Sequence, residues 1–254
     1  MATVLSGTAG ALYYKPAGTD ASFVESDVDV SGDTITVATY LNFQVGDKVQ
    51  FRVDDGSGGT GTGTLPAGIT AATDYYVISY TASTGVLQVS ATLGGSTITI
   101  TDDGTVAAPN LFKVEYADFQ SVGDVREWSF EVTRDEIDVT TIGGTLGQSA
   151  PFKSYITGFA DGTGSCTVYT TDDETTIASR LVEDVLQRKQ TGVKFKLYTD
   201  LTLSSGSPDD TASTSIEMPA VLTTANFTVN PDDAQAVEVS FRPSAAPTFD
   251  FDRS

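Results

Sequence analysis

At 254 residues the chain is long enough to bury one large core or two smaller ones without cross-links. Its 34 acidic residues against 14 basic ones leave a net charge of −20, which opposes binding to phosphate backbones and to anionic lipid surfaces. The chain has no histidine, which removes Ser-His-Asp and Cys-His nucleophiles, the commonest zinc ligand and the usual proton shuttle near neutral pH.

Abundant Thr, Val, Gly, Ser and Asp with little Leu, Lys or Met favours β-strands joined by tight turns. The first expected element is a β-prone piece within residues 3–15, ending in Leu12-Tyr13-Tyr14-Lys15 and broken by Pro16-Ala17-Gly18-Thr19-Asp20. The first seven residues carry neither the basic nor the apolar stretch of a secretory signal, and no apolar run approaches the roughly 20 residues that span a bilayer. Synthesis and folding in a cytoplasm, with no membrane partner, are expected.

From residue 25 to 116 the pattern changes to short strands between Gly- and Asp-rich turns, at 34–39, 48–53, 75–80, 86–90 and 97–101. This reads as a compact β module of its own. Inside it, the stretch from Asp54 to Thr64 is almost free of side chains that pack and is expected to be a mobile surface loop, closed by Leu65-Pro66-Ala67-Gly68.

Beyond residue 125 the strands lengthen. Trp128, Phe130 and Val132 fall on one face of a strand, with Glu127, Ser129, Glu131 and Thr133 on the other. Val193, Phe195 and Leu197 alternate with Lys194, Lys196 and Tyr198, and Val237, Val239 and Phe241 alternate with Glu238, Ser240 and Arg242, so each strand has one core face and one wet face. The lone Cys166 sits in strand-like sequence, where it packs as a small apolar group. A single helix is expected over residues 173–189, with Thr171 and Glu174 at capping-box spacing, Asp172 and Asp173 at its start, and Arg188 and Lys189 at its end. Its apolar stripe is Ile177, Ala178, Leu181, Val182, Val185 and Leu186, flanked by Arg180, Glu183, Asp184 and Gln187.

No motif for chemistry stands out. Carboxylates at spacings compatible with glycoside hydrolysis are inevitable in so acidic a chain, but one Trp and no aromatic sugar platform count against that reading. Asp-rich turns such as Asp102-Asp103-Gly104 lack the closing Glu of an EF-hand and do not repeat, so they read as turns. Glycine-rich segments carry neither a phosphate-loop lysine nor a dinucleotide fingerprint, and no cofactor or metal is implied.

The strand Arg126-Glu127-Trp128-Ser129-Phe130-Glu131-Val132-Thr133 running into Ile137-Asp138-Val139-Thr140-Thr141-Ile142-Gly143 resembles the signature strand of phage tail tube proteins. The segments Phe152-Lys153-Ser154-Tyr155-Ile156-Thr157-Gly158-Phe159 and Asp161-Gly162-Thr163-Gly164-Ser165-Cys166-Thr167-Val168 follow in the family's order. The resemblance implies a mainly β fold: a tail-tube-type β-sandwich or barrel of residues 1–24 and 117–254 with one flanking α-helix. Residues 25–116 depart from the family as a small inserted all-β domain, and because a module spliced between sequential strands must keep their ends close, it is expected on the outer surface. The resemblance further implies a non-enzymatic virion protein of the tail, assembled in the host cytoplasm into stacked homohexameric rings. Such rings have sheath, tape measure, baseplate and tail terminator proteins as partners, and DNA passes through them without specific binding. Residues 137–159 would be a long ring-stacking loop, with Ile137, Asp138, Thr140, Thr141, Phe152 and Tyr155 as contacts. Glu127, Glu131 and Glu238 would face the lumen and repel phosphate. Two other readings stay open at this stage: the inner tube of a contractile injection system, and a β-rich adhesin.

Overall fold

The computed structural model describes residues 10–18, 20–37, 43–117, 119–139, 153–169, 178–186, 190–204, 206–228 and 234–252. In chain order the strands are β1 (Ala11–Lys15), β2 (Asp20–Phe23), β3 (Val28–Asp29), β4 (Thr34–Thr36), β5 (Lys48–Asp54), β6 (Gly63–Thr64), β7 (Tyr75–Thr81), β8 (Val86–Ser90), β9 (Thr105–Val106), β10 (Leu111–Tyr116), β11 (Gln120–Ser121), β12 (Val125–Asp138) and β13 (Tyr155–Tyr169). The helix α1 (Ala178–Leu186) follows, then β14 (Lys194–Asp200), β15 (Leu203–Ser204), β16 (Ser207–Pro208), β17 (Thr214–Thr228), β18 (Ala236–Pro243) and β19 (Thr248–Asp250). The fold is mainly β, as the composition requires.

Two large antiparallel sheets divide these strands. One runs β11-β1-β14-β17-β18-β13-β12, with β19 on β17; the other runs β2-β10-β5-β7-β8-β4-β3. The second sheet begins with β2, whose Asp20–Phe23 pair with β10. It therefore starts five residues ahead of the expected boundary at residue 25.

The body sheet bends at β17. The first half of that strand pairs with β14 and β19, its second half with β18, and a register shift between Leu222 and Thr224 follows the changeover. Bulges of this kind increase local twist and let one strand serve two sheets. The two halves close over one core, where Phe195 of β14 stacks on Phe241 of β18 with ring centroids 4.2 Å apart. Leu12, Tyr14, Leu197, Met218, Cys166, Val168, Val237 and Val239 fill the remainder. Each fully buried side chain of this size contributes about 1.5–3 kcal/mol. Burial pushes the Cys166 thiol up to about 12, consistent with the expected inert structural role.

The module has its own core of Phe23, Phe51, Phe112, Val114, Tyr116, Ile35, Val77 and Leu87. One expectation fails within it. Residues 97–101 form no strand beyond a single bridge from Thr97 to Ser90, because Ile100 is drawn inward and its N–H donates to Asp33 Oδ1 at 2.7 Å instead of joining a ladder. The stretch from Asp54 to Thr64 is mostly exposed, and its first turns are held by local hydrogen bonds. The buried Asp54 carboxylate accepts from Gly56 N at 2.8 Å and Gly58 N at 3.3 Å, and Asp55 accepts from Ser57 N at 2.8 Å and Gly59 N at 2.9 Å. Burial raises the pKa of Asp54, but the Arg52 guanidinium and these N–H groups outweigh it and hold the carboxyl near 2. A Cβ at Gly61 would lie 2.5 Å from the Asp54 backbone, so the turn needs glycine there.

Helix α1 packs against β17 and β18, burying Leu181. Leu186, expected in the apolar stripe, is 83% exposed, whereas Arg180 and Asp184, expected on the wet flank, are 2% and 0% exposed. The capping residues and Ile177 lie outside the described residues. The wet face expected for Lys196 and Tyr198 is covered as well. Tyr13 packs edge-on to Tyr198 at 5.3 Å, and Asp210 lies 2.7 Å from both Lys196 Nζ and Tyr198 Oη.

Candidate assembly face and hairpin arm

Strands β12, β13, β18 and the second half of β17 form a four-stranded unit with one apolar and one polar face. Trp128, Phe130, Cys166, Val168, Val237, Val239 and Phe241 turn to the core. Gly164 stands opposite Phe241 because a Cβ there would lie 2.3 Å from Cζ of the ring.

On the polar face, register places the expected acids in order. Glu127 pairs with Thr167, Thr167 with Glu238, and Glu238 with Asn226, giving one row across all four strands. The next row is Ser129, Ser165, Ser240 and Thr224, and the Ser129 and Ser165 hydroxyls are 3.0 Å apart. Glu131, opposite Thr163, lies two residues further along β12 on the same side. Glu127, Glu131 and Glu238 are all exposed. An open groove of about 420 Å³ runs between Ser129, Glu131, Thr163, Glu238, Ser240 and Arg242. The one described cation here, Arg242, lies 3.4 Å from Asp161, and both side chains are more than half exposed, so the pair adds little stability. Hydroxyls and carboxylates at this spacing make a polar surface that water solvates readily. Among the described residues no group of three or more His, Cys, Asp or Glu is placed to hold a metal.

Both edges of this unit are open among the described strands. β12 pairs only with β13, and β17 beyond Ala220 pairs only with β18. The first backbone groups on the β17 edge are met by one side chain: Leu222 N donates to Gln190 Oε1 at 2.6 Å and Leu222 O accepts from Gln190 Nε2 at 3.1 Å.

Of the expected loop over residues 137–159, the two ends belong to paired strands, Ile137 and Asp138 to β12 and Tyr155 to Phe159 to β13, while residues 140–152 fall outside the described residues. β13 pairs with β18 only from Gly164 onward, and before that point it continues with β12 as a two-stranded arm reaching Ile137 opposite Ile156 and Asp138 opposite Tyr155. The ladder continues because Ile137, Val139, Tyr155 and Ile156 are strand-forming types and Gly158 accepts the bulge at Asp135, whose Cβ lies 2.9 Å from where a Gly158 Cβ would stand. Thr140, Thr141 and Phe152 fall outside the described residues, so Ile137, Asp138 and Tyr155 are the contact candidates that can be placed. The arm exposes apolar surface: Val132, Ile137, Tyr155 and Ile156 are each about half exposed, and Phe159 is 88% exposed. Phe159, an exposed aromatic side chain of the arm, was not among the expected contacts.

A second polar cluster was not anticipated. Arg180 of α1 donates from Nη2 to Tyr116 Oη at 2.7 Å, its Nη1 lies 3.6 Å from Asp47, and its Nε lies 3.3 Å from Asp184. Asp184 also accepts from Tyr14 Oη at 2.5 Å and from Ala17 N at 3.0 Å. Burial raises the Asp47 carboxyl to about 6, against the opposing pull of Arg180 and the Gln44 N–H. Burial also lifts the Tyr14 and Tyr116 phenols well above their ordinary range.

No protein-family model matches the chain, and no curated protein matches it. Among solved structures it is similar to a chain in the "Virion of native gene transfer agent (GTA) particle", at 13% identity and a TM-score of 0.39, over 52% of this chain and 88% of that one. It is similar at 13% identity and a TM-score of 0.37 to a chain in the "Tail of empty GTA particle computed with helical refinement, C6 symmetry", over 52% of this chain and 87% of that one. About half of the chain lies outside either match.

Proposed function

We propose that the chain is a structural protein of a phage-like tail that self-assembles into stacked rings of six, forming a tube through which DNA passes. The observation that carries this reading is the four-stranded unit with a hydrated face and two open edges. Long unpaired edges invite pairing with another chain and are normally short, charged or covered in a monomer. Here β12 of one subunit and the second half of β17 of the next are free to join head to tail, and repetition of that contact closes into a ring. The polar rows would then line the lumen, where Glu127, Glu131 and Glu238 repel phosphate and the hydroxyl row holds water. The apolar arm supplies a contact between rings through Ile137, Tyr155, Ile156 and Phe159. The inserted module stands on the outer wall, and the chain performs no catalysis.

Negative-stain electron microscopy of the purified chain across a concentration series tests the assembly. Hollow rings or stacked tubes are expected from the native sequence. Phe159→Glu combined with Ile156→Glu is expected to leave rings and abolish stacking. Persistence of the native chain as monomers when mixed with preformed tube ends would overturn the reading. Replacing Glu127, Glu131 and Glu238 by Gln is expected to keep the tubes and to increase retention of DNA at low salt.

A further inference from the structure

The inserted module is joined to the body by two chain crossings, at residues 16–19 and 117–119. Near the second, Ala117 N donates to Lys48 O at 2.9 Å and Lys48 N to Gln120 Oε1 at 3.2 Å. Two crossings keep the bodies close without by themselves fixing an angle, since relative motion of domains is the default unless a large apolar interface opposes it. The angle therefore needs another determinant away from the crossings.

Helix α1 provides one. Arg180 and Asp184 come from the helix, Tyr14 from the body sheet, and Asp47 and Tyr116 from the module, and none of the five is more than 2% exposed. The guanidinium reaches Tyr116 and Asp47 of the module and Asp184 of its own helix, Asp184 in turn accepts from Tyr14 of the body, and Gln44 of the module donates to Glu183 at the rim of the same seat. We propose that Arg180 is a positioning residue that fixes the orientation of the inserted module on the body, the shared counterion through which the helix holds the module at one angle. The guanidinium suits this role because its planar fork presents donors in fixed directions, whereas an ammonium would not impose an angle. A cluster of this kind contributes geometry more than stability, since desolvation of the charges offsets their attraction. The carboxyl of Asp47, raised to about 6 in spite of its cationic neighbour, is consistent with that balance. The inference concerns the single chain and stands whether or not tubes form.

The test measures the distance between spin labels at two exposed positions, Ser83→Cys in the module and Asn226→Cys in the body, using the full-length chain and pulsed dipolar spectroscopy. With Arg180 present, one narrow distance distribution is expected. Arg180→Met is expected to broaden it several-fold while circular dichroism and the Trp128 environment stay native, and Arg180→Lys to broaden it partially. If Arg180→Met fails to fold, the charge-balanced variant Arg180→Met with Asp47→Asn and Asp184→Asn reads the same quantity, and it too is expected to be broad. A distribution as narrow as that of the native chain in the folded variant would overturn the proposal.

Discussion

The inserted module and the distal body are built from the same strand-and-turn vocabulary, yet they finish differently. The module turns its aromatic residues inward: Phe23, Phe51 and Phe112 are almost fully buried and in ring contact, and even its glycine-rich turn is tied to a buried carboxylate. Among the described residues the distal body leaves apolar side chains of its arm exposed and two sheet edges without a strand partner. Among the described residues the module buries its apolar side chains within itself, whereas the body sheet leaves apolar surface and backbone edges that the proposed assembly would cover. Exposed apolar groups on a two-stranded arm carry an energetic cost that assembly removes.

Breaking the module's core gives the largest expected effect. Phe112→Ala removes a fully buried ring and is expected to destabilise the module by about 3–5 kcal/mol. In urea denaturation the module should unfold first while Trp128, the chain's one tryptophan, reports a native body. A single joint transition would show that the two cores are one cooperative unit.

Gly164→Val attacks the body from the corresponding position. Its Cβ would meet the Phe241 ring at 2.3 Å, and relief requires moving a ring stacked on Phe195. A loss of about 3 kcal/mol is expected in the Trp128-monitored transition. An unchanged midpoint would mean that the two rings can slide apart freely.

At the junction the effect is smaller and depends on pH. Asp47 faces Arg180, Asp184 and Glu183 from the helix and Tyr116 from β10, and its folded carboxyl titrates near 6 against an ordinary 3.8. Between these values the folded state holds a proton that the unfolded chain has lost, so this group's contribution is present at low pH and is lost as pH rises through about 6. Asp47→Asn is therefore expected to remove that downward slope and, above pH 7, to be more stable than the native chain by on the order of 1–3 kcal/mol. Thermal or urea unfolding at pH 5 and 7.5 measures it, and a slope that survives the substitution would assign the titration to another group.

The smallest effect on stability belongs to the arm. Phe159→Glu, at an 88% exposed site, should shift monomer stability by no more than about 0.5 kcal/mol. If urea unfolding instead shows a large loss, the arm is packed in the monomer and the contrast between the two regions fails.

Much of this was legible in the residues. Alternation located β12, β14 and β18 and assigned Glu127, Glu131 and Glu238 to one kind of face, because side chains on a strand alternate with period two whatever the partner strand. It did not reveal that Glu127 and Glu238 share a row through Thr167, since register is set by pairing across the sheet. The ends of the expected loop, Ile137-Asp138 and Tyr155 to Phe159, proved to be strand, because a ladder already running from Val125 extends at little extra cost.

The helix shows the same division most clearly. Its existence and its core residue Leu181 follow from periodicity alone. By that criterion Arg180 and Asp184 are indistinguishable from the exposed Glu183 between them. The sequence by itself determined that the chain is mainly β, where the alternating strands β12, β14 and β18 run and that a helix lies between β13 and β14, because propensity and periodicity are local properties of the chain. Only the tertiary structure decided which polar side chains are buried together, where the body sheet splits along β17 and which edges stay open. Those outcomes depend on which distant segment covers each face, and burial by a partner far along the chain leaves no local trace.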